Sequence, residues 1–128
     1  MIESELVTIQ GQCPSKSRNY RVGVIGGKNT KARGTLYKSS EFKNWEKDFL
    51  FQLSQFKNPM MFYEFEIGLI IYFKTYASDI DNSLKGILDC LQSAHWIQND
   101  NQCMKINIEK RVSTNDPKII FKLKKWKQ

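Results

Sequence analysis

The alternation of apolar and polar positions divides this chain into short strands arranged around two helices. Val7 and Ile9 alternate with polar neighbours over residues 6–10, which predicts a first strand ended by Gly11 and Pro14. Residues 20–25 and 34–37 predict a hairpin turned at Gly26, Gly27, Lys28 and Asn29. Ser39, Ser40 and Glu41 then supply a cap and an early acid for a helix. Its apolar stripe is Phe42, Trp45, Phe49, Leu53 and Phe56, and Lys57, Asn58 and Pro59 stop it. This spacing makes Trp45 a core residue rather than a stacking platform for bases.

The strongest strand signal covers residues 62–76. Alternation gives way there to Leu69, Ile70, Ile71, Tyr72 and Phe73, which predicts a central strand covered on both faces. From Asp81 the period becomes helical, with Leu84, Ile87, Leu88 and Leu91 as the buried stripe. His95, Trp96 and Ile97 are expected to pack against that helix, and residues 98–101 form a polar turn. Over 103–112, Met104, Ile106 and Ile108 face one side, with Lys105, Asn107 and Glu109 on the other. A turn at 113–117 leads to a last strand at 118–126, with Ile119, Phe121 and Leu123 inward and Lys122 and Lys124 outward. These two strands are expected to pair as an antiparallel hairpin. The whole reads as one α+β domain spanning 1–128, a mixed sheet of about four to six strands with two main helices.

Composition narrows the class. The chain has 128 residues, 41% of them hydrophobic, enough for a core without staples. Its longest apolar run is far too short to cross a bilayer, and its first residues are acidic where a signal peptide is basic. Three widely spaced cysteines, Cys13, Cys90 and Cys103, fit reduced thiols in a cytoplasmic protein.

Charge changes the picture further. A formal net charge of +7 suits nucleic acid or another anionic surface. Lys16, Arg18, Arg21, Lys28, Lys31 and Arg33 make the N-terminal hairpin segment a candidate arm for tracking phosphates, with a solvated loop as the alternative. The basic tail 122–127 reads either as an edge that faces DNA or as edge-strand protection against aggregation.

Against this basic background, acids collect between residues 78 and 102. Asp79 and Asp81 are two apart at the exit of the strongest strand, where both carboxylates can aim to one side. Asp81 can also cap the following helix, which leaves Asp79 without a structural explanation. Asp81, Lys85 and Asp89 are each four apart and share one edge of that helix, and Asp100 lies in the turn before the next strand. Carboxylates brought together repel unless protonated or bridged by a cation. Mg²⁺ suits hard oxygen ligands and also takes substrate phosphate oxygens, with Mn²⁺ a second candidate. Lys85 can donate to a phosphate oxygen or the attacking water as charge develops. His95 is the sole histidine, which rules out multi-histidine zinc chemistry and leaves Ser-His-Asp chemistry effectively absent; beside Trp96 it reads as a packed residue, with a place at the metal site as the alternative.

Read as one string, Asp79-x-Asp81-Asn82-x-x-Lys85-x-x-x-Asp89-x-Leu91, then Trp96, then Asp100-x-Gln102, resembles the RusA family of Holliday junction resolvases. Pro14 and Ser15, followed by Asn19, Tyr20 and Arg21, extend the resemblance more weakly. The sequence departs from the family pattern where Asn99, not a second acid, precedes Asp100. The resemblance implies a homodimeric, Mg²⁺-dependent endonuclease acting on four-way DNA junctions in recombination and repair, of bacterial, prophage or phage origin. It implies metal binding by Asp79, Asp81 and Asp100, a catalytic role for those three with Lys85, and supporting places for Asp89 and Asn82. Two other readings share these residues: a branched-DNA-binding protein without catalysis, and a metal-dependent nuclease for flaps or single strands.

Overall fold

The computed structural model describes residues 3–14, 20–25, 33–81 and 83–127, the strands at 20–25 and 33–38 by their backbone. Along the chain come β1 (Val7–Gln10), β2 (Tyr20–Ile25), β3 (Arg33–Lys38), α1 (Ser40–Leu53) and β4 (Phe65–Phe73). After β4 come α2 (Leu84–Ser93), a 3-10 turn (Asp100–Gln102), β5 (Cys103–Val112) and β6 (Lys118–Lys125). β2 and β3 form the expected antiparallel ribbon. The other four strands make one mixed sheet in the order β1-β6-β4-β5, and the α+β reading holds.

β5 and β6 run in opposite directions, but they do not form a hairpin. β4 lies between them, parallel to β5 and antiparallel to β6. The connection at 113–117 steps over the end of β4: the Ser113 N–H donates to the Phe73 carbonyl at 2.8 Å and the Thr114 hydroxyl to the Lys74 carbonyl at 3.2 Å. Periodicity specifies which residues form a strand; which neighbour a strand takes depends on where the most apolar strand sits. β6 is consequently an interior strand between β1 and β4, so Lys122 and Lys124 do not protect a sheet edge.

β4 is central in its hydrogen bonding but fully covered on one face only. Phe65, Ile67, Leu69, Ile71 and Phe73 are buried, while the alternate positions 66, 68, 70 and 72 are half-buried. Long polar side chains shield that second face: Arg111 donates to the Tyr72 hydroxyl at 2.8 Å, and the Lys118 ammonium lies 4.9 Å from the Tyr72 ring centroid. A run of five apolar residues therefore reports a strand paired on both edges, with one face under solvated aliphatic stems.

The helices cover the other face. Ser39 caps α1 by accepting from the Phe42 N–H at 3.2 Å, and the stripe Phe42, Trp45, Phe49 and Leu53 is buried as the spacing predicts. Phe49 stacks on Phe121 of β6 with ring centroids 6.2 Å apart. α2 meets α1 at Gly86, where a Cβ would stand 3.0 and 3.2 Å from Trp45 ring carbons and 3.4 Å from the Cys13 sulfur. Only a residue without a side chain lets the two helices approach this closely. α2 begins at Leu84 rather than Asp81, because Ile80, Asp81 and Ser83 are in turn conformation, and it buries Ile87, Leu88, Cys90 and Leu91. No helix among the described residues is long and apolar enough to cross a membrane.

Candidate functional site

The acidic stretch follows the C-terminal end of β4, where residues 74–77 and 79–81 are exposed and the chain is tied down from beneath. At its base the Lys74 N–H donates to Gln12 Oε1 at 2.6 Å. Further along, the Lys110 ammonium from β5 donates to the carbonyl of Tyr76 at 2.7 Å and to that of Ser78. The next residue is Asp79. Asp79 and Asp81 are both exposed, and neither carboxylate has a hydrogen-bond or ion-pair partner among the described residues.

The capping reading of Asp81 is corrected here. Ser83 occupies the N-cap position of α2 and makes no side-chain cap bond, and it is the Asp81 carbonyl that accepts from the Leu84 N–H, at 3.2 Å. The Asp81 carboxylate is left with no structural task. Ser83 is fully buried and its hydroxyl has no hydrogen-bond partner among the described residues. Asn82 lies outside the described residues.

Lys85 stands one turn above the pair, and its ammonium lies 3.6 Å from the Asp89 carboxylate. Of the two acids four residues away, the lysine leans on the one deeper in the helix. Its side chain is 59% exposed, so the pair is worth at most about 1 kcal/mol and leaves the lysine free to turn toward a new anion.

Asp100 opens the 3-10 turn before β5. Asn99, where the sequence lacks a second acid, caps that turn: its side chain accepts from the Asn101 N–H at 3.0 Å while Gln102 Oε1 accepts from the Asn99 N–H at 3.2 Å. The Asp100 N–H donates to Gln92 Oε1 at 3.1 Å, which fixes Asp100 beside the C-terminal end of α2. The pair at 79 and 81 precedes the N-terminal end of the same helix. The sheet separates them too: Asp100 precedes Cys103, whereas the loop is held at Lys110, seven steps or about 23 Å further along β5. One chain does not bring Asp100 to Asp79 and Asp81. Among the described residues no three His, Cys, Asp or Glu side chains gather closely enough to hold a metal ion.

The remaining candidates divide. His95 is exposed rather than packed, because it takes the left-handed conformation (φ 58°) that turns the chain, while the neighbouring Trp96 and Ile97 are buried. Of the proposed phosphate-tracking arm, Lys16, Arg18, Lys28 and Lys31 lie outside the described residues; Arg21 and Arg33 belong to β2 and β3. Burial pushes the Cys103 thiol above its ordinary range, with nearby Asp100 adding to the rise against a hydrogen bond to the Lys105 carbonyl. That thiol is therefore a poor nucleophile. Lys110 is the site neighbour that pattern reading missed. The one signal for it is a lysine in register with Ile106 and Ile108 on the helix-facing side of β5.

The chain is 28% identical over 93 residues to the crossover junction endodeoxyribonuclease RusA of Aquifex aeolicus (strain VF5), covering 71% of this chain and 74% of that protein. The sequence profile of the family described as Endodeoxyribonuclease RusA matches residues 14–124, which takes in every described strand of the ribbon, both helices and the whole acidic stretch. The chain belongs to the RusA family of endodeoxyribonucleases, hydrolases that act on DNA.

Proposed function

We propose that this protein is a Mg²⁺-dependent endonuclease that cuts four-way DNA junctions as a homodimer, in recombination and repair. The observation that carries the reading is the pair of exposed carboxylates at Asp79 and Asp81, without partners among the described residues, mounted after the C-terminal end of β4 and one turn before the exposed ammonium of Lys85. Two carboxylates without partners among the described residues of a +7 protein are a donor set that fits a hard divalent cation, which takes one or two protein carboxylates and completes its shell with water and phosphate oxygens. When bound, such a cation polarises the phosphodiester and supplies a reactive water.

The chain's own residues then have separate tasks. Asp79 and Asp81 hold the cation. Lys85 exchanges its exposed contact with Asp89 for a non-bridging phosphate oxygen, where an ammonium stabilises charge that grows in the transition state. Asp89 keeps the ammonium poised between turnovers, and Asn82 directly follows Asp81 in the sequence. The basic hairpin segment, from Lys16, Arg18 and Arg21 to Lys28, Lys31 and Arg33, follows the backbone of a junction arm.

Asp100 supports the dimer. β5 is an outer strand of the sheet, and Met104, Ile106 and Val112 on it are 46, 40 and 47% exposed. Ile106 and Val112 stand in register with Ile67 and Phe73 on the helix side, so this is core-type surface left uncovered. A two-fold contact along β5 sets two such strands antiparallel. It carries Asp100 of one copy to the Lys110 end of the other, where that copy's Asp79 loop is tied. Each site would then take Asp79, Asp81 and Lys85 from one chain and Asp100 from its partner, and two sites related by a two-fold axis suit symmetric cutting of two strands.

The test is cleavage of a synthetic four-way junction beside a linear duplex, a flap and a single strand, with Mg²⁺, Mn²⁺ or chelator. The expected result is metal-dependent cleavage of the junction, lowered about 10²–10³-fold by Asp79→Asn while junction binding persists. Equal cleavage by wild type and Asp79→Asn would sink the site, and preference for the flap or single strand would sink the substrate.

A further inference from the structure

We infer that Lys110 is a positioning residue for the cation site, holding the Asp79 loop in its binding shape through two backbone carbonyls. This rests on the reading of Asp79 and Asp81 as metal ligands.

Position 110 breaks a pattern. Ile106, Ile108, Lys110 and Val112 stand in register with Ile67, Leu69, Ile71 and Phe73, on the side of the sheet where β4 is wholly apolar. An ammonium placed there needs a reason, and it has no carboxylate among the described residues to pair with. Instead it meets the carbonyls of Tyr76 and Ser78, and it lies 5.2 Å from the Tyr76 ring centroid and 5.8 Å from that of Phe73. Residues 74–77 are exposed, so little apolar burial orders them. Between the clamp at Lys74 and the start of α2, the two bonds from Lys110 are the described contacts that tie this loop to the sheet.

The consequence lies in what the loop must carry. Asp79 and Asp81 carry like charges two residues apart, and neither carboxylate has a partner among the described residues to hold the loop in place. Lys110 holds the backbone at Ser78, one residue from Asp79, and places a positive charge under the pair without consuming either carboxylate. Anchoring through carbonyls leaves both acids free for the cation. The ordering that binding would otherwise have to supply is already present in the folded chain.

The experiment uses the full chain and titrates Mn²⁺ by calorimetry without DNA, beside hydrogen exchange of the 74–83 segment and junction cleavage across Mn²⁺ concentration. In Lys110→Met the apolar stem over Phe73 is retained. The expected outcome is Mn²⁺ affinity about 10–100-fold weaker, faster loop exchange, and cleavage recovered to near wild type at saturating Mn²⁺. Lys110→Arg, which keeps charge and donors, should recover most of the affinity. Mn²⁺ binding within about twofold of wild type with unchanged loop exchange would overturn the inference, as would a cleavage defect that saturating Mn²⁺ leaves in place. Where Lys110→Met does not fold, Lys110→Gln is read by the same criteria. Asp79→Asn in the same titration separates the two readings. If it abolishes Mn²⁺ binding and Lys110→Met changes nothing, only the role of Lys110 fails; if it binds as wild type does, the cation site fails and this inference with it.

Discussion

Asp79→Asn and Asp100→Asn chains, each inactive alone, are expected to restore cleavage when mixed. A bound Mg²⁺ holds its oxygens at about 2.1 Å, which places its ligands about 3 Å from one another. Within one chain, about 23 Å of β5 lies between the strand end that follows Asp100 and the lysine that ties the Asp79 loop. No side-chain rotation closes that gap. If Asp100 completes the site, it does so from a second copy. A dimer of one Asp79→Asn chain and one Asp100→Asn chain then has one site with both defects and one with neither. Random exchange puts about half of all chains into such mixed dimers, and each keeps one of its two sites, so about one quarter of wild-type nicking should return. The products distinguish it further: a single intact site nicks one strand of the junction, whereas wild type cuts two. Subunit exchange is verified by native mass spectrometry on chains of different mass. A mixture that has exchanged and still does not nick refutes the composite site, and an Asp100→Asn chain with full activity alone removes Asp100 from catalysis altogether.

Two further outcomes test the frame around the site. Ile106→Glu places a charge on the exposed apolar strip of β5; sedimentation should show a monomer that folds as wild type does, with stability within about 1 kcal/mol, yet does not cleave. Gly86→Val drives two methyl groups toward the Trp45 ring and the Cys13 sulfur, and urea unfolding should show a loss of about 1–3 kcal/mol, with an unchanged midpoint showing that the helices can part without penalty.

The candidate site residues were legible in the chain because their spacing is local. A carboxylate pair two apart at a strand exit, a lysine one turn on and an acid before the next strand are spacings, and the family match over 14–124 includes that stretch. The stripe of α1 and the inward face of β6 were equally readable, since burial follows a period of 3.6 or 2. What pattern could not decide was neighbourhood. The pairing of β5 with β4 rather than β6 depends on competition among all strands for the most apolar one, and no window of the chain contains that competition. The distance between Asp100 and the pair follows from it, because a parallel β5 puts its first residue at the far end of β4. Lys110 was hidden for the same reason: its partners are carbonyl oxygens 32 and 34 residues away, and every residue has a carbonyl, so side-chain identity gives no sign of the contact. The sequence alone thus singled out the groups proposed to bind metal and phosphate, through local spacing and charge. Which of those groups one chain can bring together was decided by strand order alone.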